Sequence, residues 1–300
     1  MADLLEELRP RAFAIAYRML GSVSEAEDVV QEALLRLHRA LDSGERIESP
    51  PAYLATVVTR LGIDELRSAR ARRETYVGEW LPEPLVTTGE SDPAQQAEVA
   101  DSLSMAFLLL LESLSPEQRA VFLLREVFDY PYDRIAEIVG KSESSARQVA
   151  VRARRKVDEG RPRFETSHEE RERLAERFFA ATRKGDLGAL EALLAEDVHL
   201  HGDGGGKVPA LARAIRGRLR VARTLAAWSR AGARIGKVTV RREEINGQPG
   251  AVFSDPDGMV ISLMVLEIAG GQVVAVRSVV NPDKLRHLGP VADVKRLLRK

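Results

Sequence analysis

Eight polar and cationic side chains in one short stretch have the types and the spacing needed to read double-stranded DNA. Five basic residues and no acidic residue lie between Ser144 and Val157. Arginine can pair with guanine and glutamine with adenine in the major groove, and each such pair discriminates by about 1–3 kcal/mol. We predict base reading by the first four of these side chains and phosphate contacts by the rest: Ser144, Ser145, Arg147, Gln148, Arg152, Arg154, Arg155 and Lys156.

Two helices joined by a tight turn must hold these side chains in place. Helical periodicity predicts a first helix over Tyr132–Val139 and a recognition helix over Ser144–Arg155, with Gly140 as the C-cap between them. The residues expected to pack between the two helices are Ile135, Ala136, Val139, Ala146, Val149 and Ala150. This is the plan of a helix-turn-helix, whose second helix enters the major groove. The alternative is a cationic helix that only faces solvent. The absence of acidic residues from Ser144 to Val157 and the length of the turn favour DNA binding.

A second basic helix is predicted upstream, over Tyr53–Arg73. Arg60, Asp64 and Arg67 lie on one side of it at i, i+4 and i+7, and Arg70, Arg72 and Arg73 follow. Alone this is weak evidence, because arginine-rich helices are often ordinary protein surface. Acids concentrate in an earlier helix, directly after Ser24 as its predicted N-cap. Separate acidic and basic faces would suit a protein that contacts both DNA and a basic protein partner.

Length and composition limit the class of protein. A chain of 300 residues, 44% hydrophobic and 30% charged, predicts two or three globular domains. The absence of cysteine excludes disulfides, thiolate zinc sites and thiol nucleophiles. No apolar run is long enough to span a bilayer and the N-terminus does not resemble a signal peptide, so we expect a cytoplasmic protein with no membrane partner.

Shifts in composition divide the chain into five segments. We expect a helical domain over residues 1–73, a proline-punctuated linker over 74–95, a helix-turn-helix domain over 96–160, an α+β domain over 167–287 and a tail over 288–300. In the α+β domain, a helical pattern precedes an antiparallel sheet. The predicted elements are a helical stretch over Glu169–Ala195 and strands over Lys237–Arg241, Ala251–Phe253, Val260–Ile268 and Val273–Val280.

Three segments, in this order, resemble parts of bacterial sigma factors. AEDVVQEALLRL (Ala26–Leu37) is similar to the helix that grips the RNA polymerase clamp, and AYLATVVTRLGIDELRSARAR (Ala52–Arg72) to the helix that captures the melted promoter element. SPEQRAVFLL, from Ser115 through the helix-turn-helix, resembles the domain that reads the upstream element. The resemblance is to the extracytoplasmic-function (ECF) family, which keeps only these two domains.

Three further segments resemble signatures of the ECF group that carries a fused SnoaL-like domain of the NTF2-like fold. They are YVGEWLPEP (Tyr76–Pro84), DGGGK (Asp203–Lys207) and NPDKL (Asn281–Leu285). The resemblance implies a multidomain protein with two all-α sigma domains, the second a helix-turn-helix. An α+β NTF2-like cone of helices packed on a curved antiparallel sheet would follow them.

The family implies a sigma factor that binds core RNA polymerase, recognises the −35 and −10 promoter elements and initiates transcription. Core binding would involve Asp28, Gln31 and Glu32, and the recognition helix would read the −35 element. The −10 element would be contacted by Tyr53 and by the other polar residues predicted on its helix: Arg60, Asp64, Arg67, Arg70, Arg72 and Arg73. Core enzyme and promoter DNA are the implied partners, and no cofactor is implied.

We expect the C-terminal domain to modulate this activity in cis, with Trp80 anchoring the linker on it. A signal would act only through its different affinity for two domain arrangements. The residues of this predicted interdomain site are Trp80, Leu81, Pro82, Asp203, Gly204, Gly205, Gly206, Lys207, Asn281, Pro282, Asp283 and Lys284.

Other functions stay open from the sequence. The chain could be a helix-turn-helix activator that never joins core polymerase, or its C-terminal domain could sense a small ligand or act as an isomerase or hydrolase. His199, His201 and Asp203 share one face of a strand, as a metal or acid–base site requires. Polar residues at a strand end before a glycine turn are the simpler interpretation. DGGGK lacks the flanking residues of a phosphate-binding loop, so we predict neither a metal site nor catalysis.

Overall fold

The structure, a computed structural model, describes residues 2–87, 102–160, 166–236 and 238–297. The chain forms two compact units. Residues 1–75 and 106–161 make up the first unit, and residues 76–105 and 162–300 make up the second. The predicted linker is described as far as Thr87, and its remainder to residue 95 lies outside the described residues, as does Lys237 at the start of a predicted strand.

Three helices begin the first unit, namely α1 (Ala2–Leu20), α2 (Val23–Asp42) and α3 (Pro50–Glu74). The N-cap of α2 is Ser22 and not the predicted Ser24, because the Ser22 hydroxyl accepts a hydrogen bond from the backbone N–H of Glu25 at 3.2 Å. The three helices pack on one another around buried apolar residues that include Ile15, Val30, Leu37, Leu54 and Val58. No helix in the described ranges is long and apolar enough to cross a bilayer.

Four more helices complete the first unit, namely α4 (Met105–Leu111), α5 (Pro116–Glu126), α6 (Tyr132–Val139) and α7 (Glu143–Gly160). A capping box between Ser115 and Gln118 begins α5. The helix α6 has the predicted bounds, and α7 extends the predicted recognition helix at both ends.

The turn between α6 and α7 forms as the sequence predicts. Gly140 is left-handed, with φ 65°, and its N–H donates to the Ala136 carbonyl, a conformation that costs glycine little. The six residues predicted to pack between these helices all belong to one core cluster or pack against it: Ile135, Ala136, Val139, Ala146, Val149 and Ala150. Together α6 and α7 form a helix-turn-helix supported by α5.

A six-stranded sheet in the order β2-β1-β6-β5-β4-β3 forms the centre of the second unit. Its strands are β1 (Leu194–Asp203), β2 (Ile215–Arg216), β3 (Thr239–Ile245), β4 (Gln248–Ser254), β5 (Val260–Ala269) and β6 (Gln272–Val279). Every neighbouring pair is antiparallel except β1 and β6, so the sheet is mixed where the sequence predicts an antiparallel one. The long connection from β1 to the β3–β6 hairpins passes through a helix, and a connection of this length allows a parallel neighbour.

Three helices pack on this sheet around a shared core, namely α8 (His168–Lys184), α9 (Leu187–Leu193) and α10 (Arg218–Ile235). The predicted single helical stretch is thus two helices, because left-handed Gly185 ends α8. Sequence patterning does not predict α10, whose apolar stripe is interrupted by arginines. After β6 come two 3₁₀ turns and a short helix, Pro282–Lys284, Arg286–Leu288 and α11 (Val294–Leu297). Helices on a curved mixed sheet give the NTF2-like architecture that the resemblance predicts.

Candidate functional site

One side of α7 carries the residues predicted to read DNA. Ser145 is half-buried, and the other seven are exposed: Ser144, Arg147, Gln148, Arg152, Arg154, Arg155 and Lys156. The opposite side of α7 is buried, through Ala146, Val149, Ala150, Ala153 and Val157. The structure therefore brings the predicted set onto one solvent-facing surface, which we call the α7 face.

Two neighbours that sequence patterning does not identify contact Arg147. Glu143 accepts a hydrogen bond from its guanidinium at 2.5 Å, and the Tyr132 ring centroid lies 4.4 Å from its Cζ. Arg154 lies 3.7 Å from a carboxylate oxygen of Glu126. Exposed ion pairs are typically worth about 0–1 kcal/mol, so these contacts hold the two cations only weakly.

The α3 face, formed by Arg60, Asp64 and Arg67, is engaged within the first unit. Arg60 donates to the backbone carbonyls of Glu137 and Ile138, at 2.9 Å each, where α6 ends. A guanidinium at this place satisfies carbonyls that have no partner within the helix and complements the negative end of the helix dipole. A predicted −10 residue therefore caps the first helix of the helix-turn-helix.

The other predicted −10 residues differ in their surroundings. Arg67 pairs with Glu117 on α5 at 3.0 Å and with Asp64 at 3.2 Å. Tyr53 is half-buried at the start of α3. Three further arginines belong to α3, but their side chains lie outside the described residues: Arg70, Arg72 and Arg73.

A buried arginine makes a second contact between the two helical domains, in the opposite direction to that of Arg60. Arg119 on α5 is 3% exposed and donates to the carbonyl of Met19 near the end of α1 at 2.6 Å. Its guanidinium also bonds to Glu112 at 2.8 Å, which supplies the countercharge that a buried cation needs. On α1, Arg18 lies over the Phe128 ring at 5.6 Å, and burial lowers its pKa to about 10. Sequence patterning does not single out these arginines, because their partners are far away in sequence.

The predicted core-binding residues lie on the outer side of α2. Asp28 and Gln31 are exposed, and Glu32 bonds to Arg36 at 2.7 Å. Leu35, which is 40% exposed, lies on the same side of the helix, four residues after Gln31 and three after Glu32. The surface thus combines acidic and amide groups with an exposed leucine.

In the second unit, the buried carboxylate of Asp203 joins the linker to the C-terminal domain. It accepts hydrogen bonds from the Tyr76 hydroxyl at 2.5 Å, the Leu81 backbone N–H at 2.9 Å and Lys284 Nζ at 2.7 Å. The Asn281 side-chain amide donates to the Tyr76 hydroxyl at 2.8 Å. Burial and then the bond to Asp203 raise the pKa of Tyr76, which keeps its hydroxyl protonated as a donor.

Trp80, the predicted anchor, lies beside this carboxylate. Lys284 Nζ lies 4.5 Å from the centroid of its ring, close enough for a cation–π contact, and donates to the Leu81 carbonyl. Leu81 is fully buried. Glu79 and His201 approach to 2.6 Å between Oε1 and Nδ1. The linker therefore binds the domain through apolar, ionic and backbone groups together.

Close approach explains two glycines of the DGGGK motif. Gly205 has φ 59°, and a Cβ atom there would lie 2.3 Å from the side chain of Asn281. A Cβ atom on Gly206 would lie 2.9 Å from Val77 of the linker. Both positions also have the positive φ that glycine adopts at little cost.

The remaining residues of the predicted interdomain site lie around the same cluster. Pro82 is buried, Lys207 forms an ion pair with Asp283, and Pro282 begins the 3₁₀ turn. A Cβ atom on Gly204 would lie 2.5 Å from a backbone oxygen. The structure thus brings all twelve residues of the predicted site into one region.

Past this cluster the linker pairs with the end of β3 through an isolated bridge that sequence patterning does not predict. Val86 forms an antiparallel bridge with Ile245 of β3. Leu85 accepts from the Asn246 backbone N–H at 2.7 Å and donates to the Asn246 side chain at 3.0 Å. This pairing covers the C-terminal end of the open edge of β3. We call residues Tyr76–Thr87 the docked linker.

The three polar residues at the end of β1 engage different partners. His201 bonds to Glu79 and Asp203 bonds to the docked linker, while the rings of His199 and His201 lie 5.9 Å apart. Burial, followed by the nearby charge of Arg216, lowers the pKa of His199. Within the described ranges, no three histidine, aspartate or glutamate side chains are placed to hold a metal ion.

A cavity of about 910 Å³ lies within the C-terminal domain. Its described lining is mostly apolar and includes Leu211, Trp228 and Met264. Thr182 also contributes to the lining, and its hydroxyl is buried without a hydrogen-bond partner among the described residues. The cavity therefore has a mostly apolar wall of the kind that small-molecule sites have.

Comparison with known proteins gives the same order of domains. Sigma-70 region 2 matches residues 4–72, and Sigma-70 region 4 matches residues 104–157. The chain is 39% identical over 294 residues to the ECF RNA polymerase sigma factor SigJ of Mycobacterium tuberculosis, covering 93% of this chain and 91% of SigJ. It is 32% identical over 275 residues to the probable ECF sigma factor SigI of the same organism, covering 90% of each.

The fold agrees with a solved structure over nearly the whole chain. The crystal structure of M. tuberculosis SigJ superposes with a TM-score of 0.74 at 34% sequence identity, covering 95% of this chain and 98% of that one. The chain therefore belongs to the ECF RNA polymerase sigma factors. It is a promoter-recognising sigma factor that carries a C-terminal NTF2-like domain.

Proposed function

We propose that three surfaces of the first unit divide the work of initiation. The α7 face binds the −35 element as a duplex, and the α3 face with Tyr53 binds the melted −10 element. Asp28, Gln31 and Glu32 on α2 bind the core enzyme. The separation of an exposed cationic side from a fully buried side on α7 supports the first role most directly.

The engaged α3 face indicates a closed state of the free chain. Arg60 cannot contact DNA while it caps α6, so initiation requires its two bonds to the carbonyls of Glu137 and Ile138 to break. Core enzyme and promoter shift this equilibrium only to the extent that they bind the open arrangement more tightly than the closed one. Opening is therefore a step that other parts of the chain can regulate.

The C-terminal domain regulates opening by holding the linker. The docked linker begins two residues after α3 ends, within the chain that connects the two helical domains. An extended chain spans at most about 3.3–3.6 Å per residue. Docking of these twelve residues therefore shortens the connection available between the two helical domains by at most about 40 Å. Release of the linker would let the helical domains separate further on the polymerase.

Single-round transcription by core enzyme with the full chain tests this regulation. Trp80→Ala and Asp203→Asn weaken docking, and both should raise transcription at limiting core concentration. Hydrogen exchange of Tyr76–Leu85 in the same variants reports whether the linker is released. Arg223→Ala, which changes an exposed arginine on α10, is the control. Unchanged transcription despite a released linker would remove the regulatory role.

The cavity supports a second function of the C-terminal domain, the binding of a small apolar molecule. The volume of the cavity and its mostly apolar lining carry this proposal. We assign binding without a reaction, because Arg183 is the single ionisable residue in the described lining. Thermal unfolding with a panel of hydrophobic ligands tests it. Stabilisation of the wild-type chain that Ala231→Phe abolishes is expected, and no stabilisation by any ligand would count against it.

A further inference from the structure

An apolar side chain lies in the middle of the α7 face. Val151 is 67% exposed, although almost all the residues around it are polar or cationic. It follows Arg147 and Gln148 by four and three positions and precedes Arg155 by four. Residues at these spacings lie side by side on one face of a helix. Val151 therefore lies among the side chains proposed to enter the major groove.

Folding alone gives no reason for valine at this position. The buried side of α7 is supplied by other residues, and Val151 contributes nothing to that core. Valine is also a weaker helix former than alanine, and its exposed surface remains in contact with water. Single exposed apolar residues are common on proteins, but the one here coincides with the centre of a proposed base-reading surface.

We propose that Val151 determines specificity by contacting the 5-methyl group of a thymine in the −35 element. Thymine is the natural base that presents a methyl group in the major groove, and apolar side chains recognise it by contact. Docking would remove both the valine and the methyl from water, which is the source of the preference. The inference rests on the proposed role of the α7 face and adds a thymine to the bases that arginine and glutamine can read.

Deoxyuridine substitution tests this contact, because uracil lacks only the methyl group. A holoenzyme of core polymerase and the full chain would first select its preferred −35 element from a randomised duplex library. Each thymine in that element, on either strand, would then be replaced singly by deoxyuridine. At one position the wild-type holoenzyme should lose about fourfold in promoter affinity, the value expected for one buried methyl group.

Valine variants connect the methyl to the side chain. Val151→Ala should bind thymine and uracil promoters equally and bind the thymine promoter about fourfold more weakly than wild type. Val151→Thr, which keeps one γ-methyl, should retain part of the discrimination. Leu219→Ala, at an exposed leucine on α10, should discriminate as wild type does.

The outcomes separate this inference from the role of α7 itself. A preferred element without thymine, indifference of the wild type to every uracil, or equal discrimination by Val151→Ala would each overturn the thymine contact. Arg147→Ala tests the α7 face independently: if it leaves promoter affinity unchanged, the proposed −35 role fails. If Arg147→Ala weakens binding while uracil has no effect, the α7 role stands and the Val151 inference is wrong.

Discussion

The α7 face and the α3 face are both cationic helix surfaces assigned to promoter DNA, but the structure presents them differently. On α7, Arg147 and Gln148 are exposed, and the acidic neighbours are weak, solvent-exposed partners. On α3, Arg60 donates to two carbonyls of α6, and Arg67 bonds to α5. In the free chain the proposed −35 surface is therefore exposed, and part of the proposed −10 surface is engaged with other helices.

If the proposed roles hold, this difference implies an order of events. A holoenzyme would contact the −35 duplex without rearranging α6 and α7, whereas capture of the −10 element would require Arg60 to leave α6. Under this proposal, the contact between Arg60 and α6 restrains the −10 helix. Because the docked linker follows α3 directly, the C-terminal domain should influence capture of the −10 element and leave −35 binding unchanged.

The largest expected effect comes from removing the base-reading side chains of the exposed α7 face. Arg147→Ala with Gln148→Ala should lower holoenzyme affinity for a −35 duplex at least about 30-fold, because each of the two lost base pairings costs about 1–3 kcal/mol. Fluorescence anisotropy with a labelled duplex measures it. Arg223→Ala, an equal loss of charge on α10, should change the affinity little, and a comparable loss there would assign the effect to general electrostatics.

Releasing the linker should act on the −10 step alone. Asp203→Asn removes the charge that pairs with Lys284, so we expect a rise in open-complex formation of about fivefold, the equivalent of one net hydrogen bond. Permanganate footprinting of unpaired thymines measures the opening. Affinity for the −35 duplex should stay constant, and a parallel change in both quantities would contradict the separation of the two steps.

Removal of one acidic partner from each of the two surfaces tests whether the two faces act in separate steps. Glu117→Gln removes one of the two ionic partners of Arg67 and should raise open-complex formation by about twofold, the scale of an exposed ion pair. Glu143→Gln frees Arg147 and should instead raise −35 duplex affinity to a similar degree. If both variants changed the same step, the two faces would not be independent.

The smallest effect concerns pH. The raised pKa of Tyr76 means that its stabilisation of the docked state is complete below the ordinary tyrosine value of about 10 and is lost only as pH rises through the higher folded value. Hydrogen exchange of the linker, corrected for intrinsic rates, should show no change in Tyr76-dependent protection between pH 7 and pH 9. Tyr76→Phe should weaken protection equally across that range, and a difference that grows toward pH 9 would contradict this assignment.

Local sequence signals predicted the helix-turn-helix well. The signals are the left-handed C-cap at Gly140 and the apolar spacing of α6 and α7. Both depend on residues close together in the chain, so they can be read from the sequence. Resemblance rather than periodicity pointed to the linker cluster, and the structure brings its twelve residues together. Their regulatory role remains a prediction, as do the roles of the DNA-binding and core-binding residues.

Features set by distant partners were not predictable. Arg119 and Met19 are 100 residues apart, and the buried arginine leaves no local pattern. The parallel pairing of β1 with β6 depends on the connection that contains α10. This helix is difficult to predict because arginines interrupt its apolar stripe. The Ser22 cap differs from the predicted Ser24 because two serines compete for one helix start, and only the backbone geometry decides between them.

The distance between the two helical domains tests the central claim most directly. The chain has no cysteine, so His38→Cys on α2 with Arg134→Cys on α6 gives two unique sites for spin labels outside the proposed DNA- and core-binding residues. Electron–electron double resonance should find one narrow distance in the free chain and a longer one in the holoenzyme. Asp203→Asn should broaden the free distribution toward the longer value. An identical distance in the free chain and the holoenzyme would contradict the closed state.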